Sequence, residues 1–302
     1  VTAHLTMIKA RLSIHAHRKV RGLLEGEYAA LQVGRGIDFN DLREYVRGDD
    51  VKDIDWKASA RSRQLLIKRY VAERKHTVLL CVSTGRSMAA LNSVGTTPDT
   101  MTSKRELAVF VSGMLGYFAV RHSDLVALVY GDAERQRGRP AEGGELHLER
   151  LLGAIHDDIR PDGPPSDLTK LLRFTARTVR RRTIMLVVSD ETRVSEEMAD
   201  LLRRLTVQHE VLFLTIGDLD PTGPAGSDRR LVDVDAAAEV PSWLRHDARL
   251  HREYATLLSA EEQQMRRRLE QLGVVQERVR DHESAIAAVF RLLERHRHAR
   301  RR

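Results

Sequence analysis

The chain has 302 residues, 42% of them hydrophobic and 31% charged, and a net charge of +7. That length and balance are enough for a substantial core and exclude a disordered or fibrous chain. The single cysteine, Cys81, excludes an intrachain disulfide and, with scattered histidines, a Cys/His metal site. The longest nearly apolar stretch, residues 108–120, falls short of the ~20 residues of a membrane-spanning helix. The first residues lack a signal-peptide pattern, so a cytoplasmic setting is expected. Charge is uneven, at +6 over residues 1–76, −4 over 77–240 and +5 over 241–302. The basic end RHRHARR has no interleaved aromatics to stack on bases. A solvated surface or an acidic protein partner is favoured over nucleic acid.

Residues 4–31 carry an apolar stripe of helical spacing, broken by Gly34 and Gly36. Residues 34–74 are dense in Asp, Arg and Gly, with one strand-like run at 65–71. From residue 77 strands and helices alternate. Thr77–Ser83 is a short apolar run, as expected of a strand buried on both faces. Residues 103–121 form a helix with one broad apolar face, and 124–130 form the next strand. Residues 132–146 read as an irregular edge or loop, with a short helix at about 147–156. Ser166 is the expected N-cap of a helix reaching about Arg181. Strands are expected at 183–189 and 209–216, with a helix at 194–205 between them. Two further helical stripes flank Gly273. This order argues for an α/β fold, a mostly parallel sheet with helices on both faces. Three segments are expected: 1–76, a sheet domain at 77–220, and a C-terminal helical extension at 221–302.

The most distinctive stretch is Gly34–Arg74. It holds Gly34 and Gly36, Phe39, Arg43-Glu44-Tyr45, Gly48-Asp49-Asp50, Ile54-Asp55-Trp56, Ala60-Arg61 and Glu73-Arg74. In this order the residues strongly resemble the signature of the domain of unknown function 58 family. The order of elements after residue 76 resembles a von Willebrand factor A-like domain. Within the signature, carboxylates lie among almost as many cations. They suit salt bridges and turn caps better than catalysis or a divalent cation. Tyr45 and Trp56 are expected to be packing anchors.

The resemblance also implies a metal-ion-dependent adhesion site at the strand ends. There the first strand ends in Asp-x-Ser-x-Ser, and a Thr or Ser and an Asp come from later loops. Here Ser83 stands for the Asp and Gly85 for the first Ser. Ser87 matches, Ser166 fills the hydroxyl position and Asp190 the last carboxylate. With Arg86 and Arg193 close by in sequence, this degenerate set is expected to hold no metal, or Mg²⁺ only weakly.

No catalytic residue is assigned, because no nucleophile–base spacing is legible. The resemblance implies a non-enzymatic adaptor, chaperone-like, that works with a MoxR-type AAA+ ATPase and an unknown client protein. The chain has no Gly-x-x-x-x-Gly-Lys-Ser/Thr loop of its own. The alternatives are a metal-assisted hydrolase using Asp49, Asp50, Asp53 and Asp55, and a nucleic-acid-binding protein.

Overall fold

The computed structural model describes residues 4–15, 28, 41–46, 51, 54–62, 64–69, 75–93, 102–190, 193–222, 230–241, 243 and 247–299. They fall into two compact units, residues 1–31 with 76–302, and residues 32–75. The first helix, α1 (His4–His15), belongs with the sheet and not with the signature that follows it. Its stripe explains why. Leu5, Ile8 and Leu12 are buried, and the Ile8 side chain fills space left by the missing side chain of Gly113. Both Glu149 carboxylate oxygens accept from the first helical amides, His4 and Leu5, at 2.7 Å each. That satisfies donors which a helix start leaves unpaired.

The signature unit contains β1 (Asp41–Glu44), α2 (Trp56–Ser62) and β2 (Leu66–Arg69). β1 and β2 pair antiparallel, with Arg43 opposite Ile67 and Glu44 opposite Leu66. The strand expected at 65–71 is therefore present as β2. β1 and α2 are additions, because segments this short carry no readable period.

The large unit continues with β3 (Thr77–Ser83), a 3₁₀ turn at Arg86–Ala89, and the short pair β4 (Leu91–Ser93) and β5 (Thr102–Ser103). Helix α3 (Lys104–Arg121) follows, then β6 (Leu125–Gly131), β7 (Gln136–Glu142) and α4 (Glu145–Asp158). Next come α5 (Leu168–Thr178), β8 (Ile184–Asp190), α6 (Glu196–Gln208) and β9 (Glu210–Ile216). The chain closes with α7 (Ala248–Gln271), β10 (Val275–Val279) and α8 (His282–Ala299). Ser103 caps α3 in a reciprocal box with Glu106, so the helix starts one residue later than its periodic pattern.

Among the described residues the sheet has six strands in the order β10-β9-β8-β3-β6-β7, all parallel except the β6–β7 pair. This is the expected α/β, von Willebrand A-like arrangement. Successive β3 side chains point to opposite faces. Val78, Leu80 and Val82 join the core with α1, α3, α4 and α8. Leu79 and Cys81 join the core with α5, α6 and α7.

Three expectations change. Residues 136–142 form a true edge strand, β7, although almost every residue in it is exposed. Its backbone pairing supplies what its side chains do not. Residues 221–302 are not purely helical, because β10 extends the sheet in parallel with β9. Its sequence, VQERV, hides this with three polar residues. The helix after residue 166 is capped by Asp167, whose Oδ1 accepts from the Lys170 amide at 2.9 Å.

Cys81 is fully buried, 3.6 Å from the Thr175 hydroxyl, and burial pushes its thiol up to about 12. Burial, with Arg182 nearby, holds His209 below the usual imidazole pKa. Burial and the neighbouring His156 do the same for His4, against opposing pulls from Glu149 and Asp157. The unfolded chain therefore binds more protons at these positions than the folded one. Their contribution is fully present above the ordinary imidazole pKa of about 6.5, and is lost as pH falls below it toward the folded values. Urea midpoints should drop across that window, and less steeply in His209→Gln. An identical slope in the variant would contradict the assignment.

Candidate functional site

In the sheet, β3's neighbour β6 leads toward one edge, while β8's neighbour β9 leads toward the other. The loops after β3 and β8 therefore part, and a crevice opens at the carboxyl ends of these strands. Open α/β sheets bind ligands at such a switch point. Ser83 to Ser87 and Asp190 lie at this point because β3 and β8 end here.

The geometry brings three of the expected positions together. Ser87 Oγ and Ser166 Oγ are 2.6 Å apart, and Ser87 Oγ donates to Asp190 Oδ2 at 2.5 Å. Asp190 Oδ1 accepts from Ser189 Oγ at 3.2 Å. Both oxygens of the one carboxylate are thus engaged by hydroxyls. Ser166 serves here as a partner of Ser87, and Asp167 takes over the helix cap.

The other two positions behave differently. Ser83 is buried, and its hydroxyl has no protein hydrogen-bond partner among the described residues. Gly85 is a close-approach glycine. A Cβ placed there would lie 2.3 Å from the Ser166 amide nitrogen and 2.4 Å from its Cα. The Arg86 amide donates to Pro164 O at 2.8 Å, and the Ala133 amide donates to Pro165 O at 2.9 Å. The 164–166 backbone is therefore held directly against residue 85.

Further rim contacts escaped the sequence reading. Thr84 Oγ1 donates to Asp158 Oδ2 at 2.7 Å, and Arg137 pairs with Asp158 Oδ1. Arg86 pairs with Asp235 at 3.0 Å, and Arg193 with Glu261 at 2.5 Å. Buried Lys104 pairs with Asp218. Most of these partners are far apart in sequence, so no local spacing announces them. The one local hint is a lysine at the first position of α3, where the helix dipole disfavours a cation.

The signature residues are mainly structural where described. Asp55 Oδ1 accepts from the Lys57 and Ala58 amides at 3.1 and 3.0 Å and so caps α2. Tyr45 donates its amide to Leu65 O at 2.8 Å. Arg61 is exposed. Trp56 corrects an expectation: it is 63% exposed and is not a packing anchor. It lies on the first turn of a short helix whose buried residue is Ser59. Gly48, Asp49, Asp50 and Asp53 lie outside the described residues. Among the described residues, no group of three or more His, Cys, Asp or Glu side chains comes together as a metal site.

The close approach at residue 85 predicts a cost. Gly85→Ala should destabilise the protein by about 1–3 kcal/mol, as overpacking against fixed backbone does. Ser87→Ala removes one hydroxyl and creates no overlap. Thermal melts of both variants check this, and an unchanged Tm for Gly85→Ala would contradict the packing described.

Comparison with known proteins places these features in a family. Uncharacterised proteins of Mycobacterium bovis and Mycobacterium tuberculosis are 27% identical over 211 residues, covering 70% of this chain and 63% of theirs. The chain thus spans less than two thirds of the length of these relatives. Similar solved structures include an aerotolerance-related membrane protein from Bacteroides fragilis, with TM-score 0.46 and 14% identity, covering 73% of this chain and 99% of that one. A von Willebrand factor type A protein from Catenulispora acidiphila has TM-score 0.39 and 10% identity, covering 78% of this chain and 44% of that one. Among the described residues, no helix is long and apolar enough to cross a membrane. Residues 41–265 match the family described as "Protein of unknown function DUF58", and the chain belongs to that family.

Proposed function

We propose that this chain is a non-enzymatic protein-interaction module, an adaptor that couples a MoxR-type AAA+ ATPase to a client protein in the cytoplasm. The observation that carries this reading is the Ser87–Ser166–Asp190 rim at the switch point. It is a preformed polar cluster of two hydroxyls and one carboxylate, in which Ser87 and Asp190 are each 8% exposed. Such a rim suits recognition of a partner's polar groups better than bond breaking.

The adaptor holds no resident divalent cation at this rim, or Mg²⁺ only weakly. Mg²⁺ favours near-octahedral oxygen ligands and is usually bound through one or two carboxylates. Here one carboxylate has both oxygens engaged by serine hydroxyls, and a serine stands at position 83. The backbone of residue 166 lies where a side chain at position 85 would reach.

The signature unit supports the same reading. Trp56 is exposed together with Val46, Val51 and Leu65. Exposed tryptophan is a common anchor of protein interfaces. Asp55, one of the carboxylates a hydrolase would need, is engaged in capping α2. The buried, high-pKa Cys81 thiol offers no reactive nucleophile.

Size-exclusion chromatography of the full chain with a MoxR-type ATPase from the same organism tests the partner. The expected result is co-elution that depends on ATP and Mg²⁺, weakened at least about tenfold by Trp56→Ala, as loss of a hot-spot residue would do. Absence of a complex under every nucleotide condition would remove the ATPase from the proposal. Calorimetric titration with Mg²⁺ tests the rim. Saturable micromolar binding that disappears in Asp190→Ala would overturn the metal-poor reading.

A further inference from the structure

A second site lies between α7 and the strands β9 and β10. A partly open cavity of about 70 Å³ lies there. Its lining includes Thr215 and Gln276 from the strands, with Leu258 and Met265 from α7. Thr215 and Gln276 are both buried, at 2% exposure each. Leu258 and Met265 are half-buried.

Gln276 is the informative residue. Its Nε2 donates to Thr215 Oγ1 at 3.2 Å, while its Oε1 has no protein partner among the described residues. The two ends of an amide are interchangeable in assignment, so one end of this side chain is open either way. A buried amide end without a partner costs about 1–3 kcal/mol. Sequence gives no structural reason to retain it, because a leucine would fill an edge-strand position facing a helix.

The charged groups around the cavity are already matched. Arg278 Nη1 pairs with Glu262 Oε2 at 3.1 Å, and Arg193 pairs with Glu261 at 2.5 Å. Neither sign of charge is in excess, so a charged ligand would lose its hydration without gaining a free counter-ion. A cavity of this size holds roughly four to six water-sized positions, the volume of one amino-acid side chain.

We propose that this cavity is a binding pocket for a neutral carboxamide with a compact apolar body. Leu258 and Met265 would cover the body. A carboxamide carries both a donor and an acceptor, so it matches whichever end of Gln276 is open. A carboxylate has only acceptors and an ammonium only donors. The same chemistry is offered by a free small amide and by a glutamine side chain of a bound peptide.

The test uses the full chain labelled with ¹³C at the methionine methyls. The Met265 signal is identified by its absence from Met265→Leu. Isobutyramide serves as the free-amide probe and N-acetylglutamine N-methylamide as the peptide probe, with isobutyrate and isobutylamine as charged controls. The expected result is a saturable Met265 shift with at least one amide, with binding of both charged analogues weaker by about tenfold or more, the worth of a buried hydrogen bond. Saturation with isobutyramide alone assigns the pocket to free amides, and saturation with the glutamine derivative assigns it to a peptide side chain. Gln276→Leu should weaken amide binding by about the same factor. Leu258→Trp, at a half-exposed wall position, should block the cavity without disturbing the buried strands. The proposal is overturned if neither amide saturates, if a charged analogue binds as well, or if both variants keep the parent's affinity.

Discussion

Strand β3 is hydrogen-bonded to β6 on one side and β8 on the other, and its side chains alternate between two cores. Both faces of the molecule's sheet are built outward from this strand. Five consecutive side chains, Val78 to Val82, are buried on it. Burying one aliphatic side chain of this kind contributes about 1.5–3 kcal/mol, and the neighbouring strand β8 buries Ile184 to Val188 in the same way. The location of the functional rim follows from the same pairing. A central strand whose neighbours lead to opposite edges must leave a crevice at its end, and the residues just after Val82 occupy it.

What fills that crevice depends on an absent side chain. Without a Cβ at residue 85, the backbone of residues 164–166 comes close enough to bring Ser166 beside Ser87. The pair then reaches Asp190 through a short hydrogen bond. Hydroxyls from two separate loops are thereby joined to one carboxylate at the strand ends. Of the charges beside the rim, Arg86 is paired with the distant Asp235.

The sequence was most legible where burial is two-sided. The runs at 77–83, 183–189 and 209–216 are apolar in their middles, and the strands observed there differ by a residue at most at either end. It was least legible at the sheet's two edges. Strand β10 contains Gln276, Glu277 and Arg278, which hide it within a region expected to be helical. Glu277 is buried all the same, because Arg291 and Arg295 of α8 neutralise it at 3.0 and 2.9 Å. No short-range pattern encodes partners that far along the chain. At the rim, Ser87, Ser166 and Asp190 were found by alignment to a known pattern, and the structure brings them together. The exposure of Trp56 was missed because a tryptophan inside a dense motif reads as a core residue. A short helix that buries only a serine leaves the indole outside.

The antiparallel edge strand β7 has a consequence for the fate of the sheet at high concentration. It exposes a row of backbone groups along one side, the usual template for joining a second sheet. Its residues Gln136–Glu142 carry two arginines, a glutamate and Pro140, and almost all are exposed. Proline supplies no amide to a neighbouring ladder, and two like-charged side chains repel an identical strand brought alongside. The same polar composition that concealed β7 as a strand guards this edge of the sheet against pairing with a second copy.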